Sequence, residues 1–448
     1  MSVMRERDRK TGLWTPDWTT TPYWLDDLPD IPPLTPDLPE EADVVIVGSG
    51  YTGLNAALET ARGGRSTLVL EAATPGAGCS TRNGGQISTG IKPSLDGLAA
   101  RHGPERARAI RQEGETALAW IEDRIAAEGI DCAFRRAGRF HAAHTPRHYE
   151  ALTRDAEKLI RTEGIPAHAV PRTDQRQELG SDAYHGGVVF PRHAALHPAR
   201  YHRGLLDRVL SAGAQVLGDC AVIGIAPAPG AGHAVTTARG VVRARDVIVA
   251  TNGYTGPVTA WLRRRVIPIG SYVIATEPLP ADLVDQLFPT DRIVSDTCKV
   301  VYYYRTSPDR RRILFGGRVS AAETDPAVSG PKLHEAMCRI FPELRDWRIS
   351  HSWMGTVAYS FDELPHTGTH DGVHYALGYC GSGVSLASYL GMRTGQRVLG
   401  LREGRTAFDD LPFPTRPLYS GRPWFLPPVV AWYRWRDRLQ YERAGTAR

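Results

Sequence analysis

Gly48, Gly50, Gly53 and Glu71 are the first residues in this chain whose types and spacing point to a chemistry. The glycines fall in the run Gly48-Ser-Gly50-Tyr51-Thr52-Gly53. Gly48 permits a tight turn, Gly50 lets the backbone approach a pyrophosphate, and Gly53 lets a helix pack closely on the preceding strand. Glu71 stands eighteen positions after Gly53, near the roughly 20-residue spacing at which a carboxylate accepts from ribose hydroxyls. The set supports dinucleotide binding, and the acid argues against a 2′-phosphate and hence against NADP. It leaves a nicotinamide and a flavin dinucleotide equally open.

These residues need a strand, a turn, a helix and a second strand to bring them together. Val44 to Val47 is a short β-branched run, as expected of a strand buried on both faces. Leu54, Ala57, Leu58 and Ala61 then mark the apolar stripe of a helix, whose free N-terminal N–H groups and partial positive charge suit a phosphate. Ser66 to Leu70 is the second strand, ending at Glu71. Glycine-rich strand ends recur near residues 252 and 381, separated by differently patterned material. A nicotinamide dehydrogenase more often completes its sheet in one run of βα units. The layout here suits one nucleotide domain built from distant segments, with a second domain woven between them.

Composition excludes several other classes. The chain has 448 residues, 42% hydrophobic and 23% charged, in keeping with a globular protein of two or three units. Its net charge is +5, but only five of its 54 basic residues are Lys, and they are interspersed with acids, which argues against a nucleic-acid partner. The six cysteines are scattered, without CxxC or ligand-spaced His. That pattern predicts a reducing, cytoplasmic setting and no metal site. No stretch approaches 18 apolar residues, and the N-terminus lacks an apolar h-region. Neither a transmembrane segment nor a signal peptide is expected.

Along the chain, residues 1–40 read as an irregular Trp- and Pro-rich arm over the surface. Residues 41–95, 186–260 and 350–404 are assigned to the nucleotide domain, and 96–185 and 261–349 to an interleaved substrate (cap) domain. Residues 405–448 form a tail whose helix mixes Trp432, Tyr433 and Trp435 with Arg434, Arg436 and Arg438. That composition fits a helix packed on its own domain and also one resting on an anionic membrane surface. The fold class is α/β (α+β overall), a Rossmann-like domain of discontinuous segments with a sheet-and-helix cap.

With these segments in place, the chain resembles the FAD-dependent D-amino-acid oxidase (DAO) family, and within it the branch of γ-glutamylputrescine oxidase and related bacterial amine oxidases. The resemblance rests on Trp24-Leu-Asp-Asp, Val47-Gly-Ser-Gly-Tyr-Thr-Gly53, Gly78-Cys-Ser-Thr-Arg-Asn-Gly-Gly-Gln86, Ala250-Thr-Asn-Gly-Tyr254, Phe315-Gly-Gly-Arg318 and Gly378-Tyr-Cys-Gly-Ser-Gly-Val384. It implies FAD as cofactor. It also implies contacts from Gly48, Gly50, Tyr51, Thr52, Gly53, Glu71 and Ala72, with Val222 beside the adenine. Ser80, Thr81, Arg82, Asn83, Gly84, Gly85 and Gln86 correspond to a loop under the flavin, joined by Ala250, Thr251, Asn252, Gly253 and Gly355. Gly378, Gly381, Ser382, Gly383, Val384 and Ser385 correspond to a helix start at the pyrimidine end of the ring, where the dipole favours negative charge.

The departures carry expectations too. Relatives that attach FAD covalently use a Cys near the segment that here reads Thr356-Val-Ala-Tyr-Ser360, or a His in the segment that here reads Cys79-Ser80-Thr81-Arg82. Neither is present, so the FAD is expected to be non-covalent. The Lys that sarcosine oxidases use to promote reaction with oxygen is missing from Ile313-Leu-Phe-Gly-Gly317. By resemblance, Tyr272, Tyr304, Arg318 and Trp353 are the catalytic candidates, with Tyr302, Tyr359 and Arg305 near them. For each aromatic, sheet packing is the commoner role, and a surface or structural ion pair accounts for each arginine as well as a grip on a carboxylate does. His351 and His366 are not assigned as bases. The expected protein, a monomer or homodimer, oxidises the C–N bond of a small-molecule amine, with O2 as acceptor and peroxide as product. The alternatives are a hydroxy-acid or amine dehydrogenase serving a quinone or carrier, and a flavin-binding subunit without turnover.

Overall fold

The computed structural model describes residues 12–31, 33–34, 36–229, 232–318 and 324–443. Two sheets dominate it. The first has eight strands, with Val222–Pro227, His233–Thr237, Gly240–Val249, Glu41–Val47, Thr67–Leu70 and Gln215–Leu217 in spatial order. Val373–Leu377 joins it beside Gly240–Val249 and pairs in turn with His366–His370. The strands around Glu41–Val47 are parallel. Val44, Val45 and Ile46 have no exposed surface, as a parallel strand covered on both faces requires.

The turn after this strand is built by glycine. Gly48 has φ +104°, a conformation that L side chains rarely adopt. A Cβ on Gly53 would lie 1.9 Å from Gly48 O, so only glycine lets the helix Tyr51–Arg62 begin this close to the strand. A second helix, Gly383–Val398, packs alongside, and Thr52 Oγ1 lies 2.7 Å from the Tyr379 hydroxyl just before it. Both helix N-termini therefore come to the same end of the sheet, the carboxyl end of its parallel strands.

The second sheet has nine strands. In order they are Trp14–Thr19, Ile349–Ser360, Val266–Thr276, Ile313–Gly317, Tyr302–Thr306, Ile293–Asp296, Arg139–Ala142, Gly187–Phe190 and His168–Val170. Its large core holds Phe140, Tyr272, Tyr304, Phe315, Phe341 and Leu333, all buried. The helix Pro326–Ile340 covers this face.

Packing moves several of the expected boundaries. Strands Ile349–Ser360 and Gly187–Phe190 lie in the second sheet, although the sequence assignment put them with the nucleotide domain. The helix Pro104–Glu128, assigned to the cap, shares a core with Tyr389, Leu390 and Met392 of Gly383–Val398. Periodicity identifies a helix but not which neighbour accepts its apolar stripe. The arm is also more than a surface strap. Trp14–Thr19 is the edge strand of the nine-stranded sheet, and Trp24 is wholly buried. Among the described residues, no helix is long and apolar enough to cross a membrane, and no cluster of His, Cys, Asp and Glu is arranged to hold a metal.

Candidate active site

A continuous cavity of about 1600 Å³ runs from the glycine turn of the first sheet to the face of the second. That exceeds the roughly 300–1,000 Å³ of an ordinary small-ligand pocket, leaving room for a dinucleotide and a second molecule. At one end lie Gly48, Gly50, Tyr51, Thr52, Glu71, Ala72 and Val222. Glu71 Oε2 accepts from Ser49 N (3.0 Å) and Ser49 Oγ (2.7 Å), so the carboxylate also braces the turn. Ser80 Oγ accepts from Tyr51 N at 3.0 Å, at the start of the helix.

The middle of the cavity is the segment 79–86, and it is held from several sides. Two indoles grip successive carbonyls. Trp24 Nε1 donates to Asn83 O, and Trp353 Nε1 donates to Arg82 O, both at 2.8 Å. Asn83 Oδ1 accepts from Gly85 N, while its Nδ2 donates to Cys79 O and Ser80 O. Arg305 lies beneath, 1% exposed, with Nη1 donating to Gly85 O (3.0 Å) and Leu196 O (2.9 Å). Burial, followed by the charge of Arg135, pushes the Arg305 pKa down to about 9. These bonds fix a strongly curved backbone whose cavity side shows Ser80, Arg82, Asn83, Gly84 and Gln86.

Ala250, Thr251, Asn252, Gly355, Gly381, Ser382, Gly383 and Val384 complete this wall. Asn252 Oδ1 accepts from Gly378 N at 3.0 Å, tying two strand ends together. Six of the residues expected at the cofactor do not face the cavity. Gly53 and Gly253 are in contact with the backbone of Gly48 and Thr356, and Gly85 packs on Leu196 O. The Thr81 hydroxyl donates to Gly76 O, Gly378 is engaged as described, and Ser385 is buried behind the helix start. These positions shape the wall without forming it.

The expected catalytic set needs more correction. Tyr272, Tyr304 and Trp353 are absent from the cavity lining; Arg318 alone of the four is there. The Tyr272 hydroxyl accepts from Thr324 N on the far side of its strand. Tyr304 stacks on Phe315 (5.2 Å between centroids) and donates to the Tyr184 hydroxyl at 3.1 Å. The alternation along Tyr302–Thr306 is real, but its phase is set by the aromatic core, which takes Tyr304 and leaves Tyr303 to the cavity. The Tyr303 hydroxyl lies 2.8 Å from Ser271 Oγ, and burial pushes its pKa up to about 12. His351 and His366 bind Asp26 and Asp362 and do not line the cavity.

Residues that sequence reasoning missed fill the end of the cavity away from the glycine turn. Lys92 opens onto the cavity with Nζ 5.1 Å from the Tyr359 ring centroid. Burial lowers its pKa, but Tyr359, Cys380 and Glu363 outweigh that, so the pKa is raised and the ammonium persists. Arg139 and His141 come from one strand and share its cavity face. His141 Nδ1 lies 3.2 Å from Ser295 O and 2.9 Å from Ser295 Oγ. A proton on Nδ1 serves both Ser295 oxygens at once, whereas a bare Nδ1 takes a proton only from the hydroxyl and faces the carbonyl with a lone pair, so the contacts favour the tautomer that leaves the Nε2 lone pair free. Burial, and then the charge of Arg139, push the His141 pKa down to about 4, so the ring is neutral at pH 7. The C-terminal helix Leu426–Arg443 closes this end with Leu426, Val429, Val430 and Tyr433. Its Asp437, fully buried, accepts from Lys299 N and Val300 N. Trp432 and Trp435 remain about half exposed on the outside of the helix. The signal for Arg139 and His141 was the alternation Arg139-Phe-His-Ala142, within residues 96–185 assigned only to the cap domain.

Comparison with known proteins agrees with this arrangement. Residues 43–397 match the family described as FAD dependent oxidoreductase (DAO). The chain is 32% identical over 402 residues to Gamma-glutamylputrescine oxidoreductase of Escherichia coli (strain K12), spanning 89% of this chain and 93% of that one. It is 31% identical over 396 residues to Probable oxidoreductase OrdL of Haemophilus influenzae, spanning 87% and 90% respectively. The crystal structure of glycine oxidase from Geobacillus kaustophilus superposes with a TM-score of 0.71 at 20% identity, covering 85% of this chain and 99% of that one, which shows a shared fold. The glycine cradle, the two helix N-termini and Glu71 at one end of a cavity of this size fit FAD, and the chain belongs to the DAO family of FAD-dependent oxidoreductases, as an enzyme related to amine and amino-acid oxidases.

Proposed function

We propose that this enzyme oxidises the C–N bond of a small amine, a γ-glutamylated amine or an amino acid, with dioxygen as the electron acceptor and hydrogen peroxide as a product. The observation that carries this reading is the single cavity joining the glycine turn to a wall of Tyr303, Tyr359 and a neutral His141. Bound FAD supplies two-electron acceptance from the carbon next to nitrogen. The residues proposed to hold it are those of the glycine turn, Glu71, the segment Ser80–Gln86 and the helix start at Gly381–Val384, without a covalent bond.

The protein's part follows from the cavity wall. An amine gives up a hydride only from its neutral form, and the positive charges of Lys92 and Arg139 on the same cavity disfavour a second cation there. The Nε2 lone pair of His141 accepts an N–H and orients the nitrogen. Water hydrolyses the resulting imine to a carbonyl compound. Leu314 and Phe315, where some relatives carry a cation, are buried in apolar packing. Lys92 brings a positive charge to the cavity from another segment, and we assign it the role of favouring electron transfer to oxygen.

Anaerobic mixing of the holoenzyme with γ-glutamylputrescine, putrescine, sarcosine and glycine tests the reading. Bleaching of the flavin absorbance by at least one amine, and peroxide on readmitting air, are expected. Bleaching by hydroxy acids alone would refute it. Reoxidation that is negligible with oxygen yet rapid with a quinone would retain the amine chemistry and overturn the acceptor.

A further inference from the structure

The C-terminal helix Leu426–Arg443 has two unlike sides. Its inner side is fully used. Leu426, Val429, Val430 and Tyr433 line the cavity, Asp437 accepts from Lys299 N and Val300 N, and Gln440 Oε1 lies 3.1 Å from His144 Nε2. At about 100° per residue, Trp432 and Trp435 fall on the opposite side. They are 54% and 52% exposed, with ring centroids 5.0 Å apart. The segment leading into the helix adds Leu418 and Trp424, 89% and 63% exposed. The other seven tryptophans of the chain are buried or half-buried, so the openness of these three is particular to this segment. Scattered apolar side chains on a surface are ordinary, whereas large ones gathered together mark a contact.

The charge around these rings has one sign. From Leu411 to Arg443 the chain carries six arginines, no lysine and two acids. Asp437 is wholly buried on main-chain N–H groups, and Glu442 pairs with Arg438 at 2.9 Å. Arg436, 5.8 Å from the Tyr433 ring centroid, lies on one flank of the tryptophan stripe, and Arg438 lies on the other. Arg416 and Arg422 are exposed in the segment before the helix. The run Arg263-Arg264-Arg265 packs beside that segment, with Thr415 Oγ1 donating to Arg264 O and Arg265 Nε to Phe413 O.

An indole with an arginine beside it suits the headgroup level of a bilayer, where the ring meets the acyl boundary and the guanidinium meets phosphate. A two-fold contact with a second copy would instead set these arginines against their own kind, which is unfavourable. We propose that the outer side of the helix Leu426–Arg443, with Trp424 and the flanking arginines, docks this enzyme on an anionic phospholipid surface. Trp432 and Trp435 enter at headgroup depth, and Arg422, Arg436 and Arg438 meet lipid phosphates. The contact is peripheral, since among the described residues no helix is long and apolar enough to cross a membrane. Docking brings the end of the cavity that holds Tyr433 to the lipid surface.

The test is co-sedimentation of the holoenzyme with vesicles. With phosphatidylglycerol and phosphatidylcholine in equal parts, the enzyme should pellet at low ionic strength. It should pellet far less with phosphatidylcholine alone, or at high salt, which screens the arginines. Replacing both rings, Trp432→Ser with Trp435→Ser, should lower the partition coefficient roughly tenfold or more. Arg422→Gln and Arg436→Gln should lower it about fivefold each, the worth of one cation near an anionic surface. These four side chains stand outside the cavity, so FAD content and melting temperature should stay unchanged. No pelleting with the anionic vesicles, or equal pelleting by the double tryptophan variant, overturns the proposal. Concentration-dependent dimerisation that the same variant abolishes, without vesicle binding, would also overturn it and give this surface to a second copy.

Discussion

Replacing Trp24 or Trp353 by Phe should loosen the cofactor before it unfolds the protein. Each indole donates one 2.8 Å hydrogen bond to the segment 82–83, one from the N-terminal arm and one from the nine-stranded sheet. Phe retains most of the packing but strands one carbonyl, Asn83 O or Arg82 O. An unsatisfied carbonyl costs about 1–3 kcal/mol. The segment is half-buried, so water recovers part of that loss, and about 1–2 kcal/mol is expected for each substitution. If the loss falls on loop position, the FAD dissociation constant rises about tenfold for each 1.4 kcal/mol. Both indoles hold the same turn, which Asn83 and Arg305 also brace, so the double variant should cost less than the sum of the singles. Reconstitution of apoprotein with FAD, followed by quenching of flavin fluorescence, measures the affinity, and urea unfolding measures stability. If both single variants bind FAD within about twofold of the parent while losing stability, the indoles serve the fold alone and the clamp argument is wrong.

Three further outcomes are expected. Acid precipitation should release all the FAD, because burial pushes the Cys79 and Cys380 thiols up to about 12 and about 11, leaving no thiolate to attach it; flavin in the pellet would contradict this. His141 is held neutral, so between pH 6.5 and about 4 the unfolded chain takes up a proton that the folded chain refuses. Folding stability should therefore fall as pH drops through that window, by up to about 3 kcal/mol for this residue, and His141→Gln should show a shallower decline in pH-dependent urea unfolding. Asp437→Asn weakens the acceptor that fastens the C-terminal helix to Lys299 N and Val300 N. It should raise KM and the rate of proteolysis near residue 426 while sparing FAD content, and unchanged values of both would show that the helix is held elsewhere.

The cofactor end was legible because its constraints are local. A turn at φ +104° and a Cβ position 1.9 Å from a carbonyl admit only glycine, so the backbone is written directly into residue type and spacing. Glu71 follows from strand length in the same way. Gly253 lies off the cavity, and there a glycine required by its neighbouring strand looks the same, in sequence, as one required by a ligand. The two-residue period of Tyr302–Thr306 was also legible, whereas its phase was not. Phe288, Phe315 and Phe341, distant in sequence, decide that Tyr304 is core.

That asymmetry bears on how such a protein changes its substrate. The dinucleotide end depends on a few consecutive residues, and altering any of them disturbs the turn itself. The other end draws single side chains from six separated places: Lys92, Arg139 with His141, Tyr303, Arg318, Tyr359 and the helix Leu426–Arg443. Apart from Arg318, which ends the Phe315-Gly-Gly-Arg318 motif, none of these sits in a motif that carries the family resemblance, and Arg139 is matched by no carboxylate among the described residues. A chain of this family can therefore keep its cofactor while the opposite wall is rebuilt one side chain at a time. The side chains of that wall are those that no local pattern reveals, and an uncompensated charge facing the cavity is the physical sign that sets one of them apart.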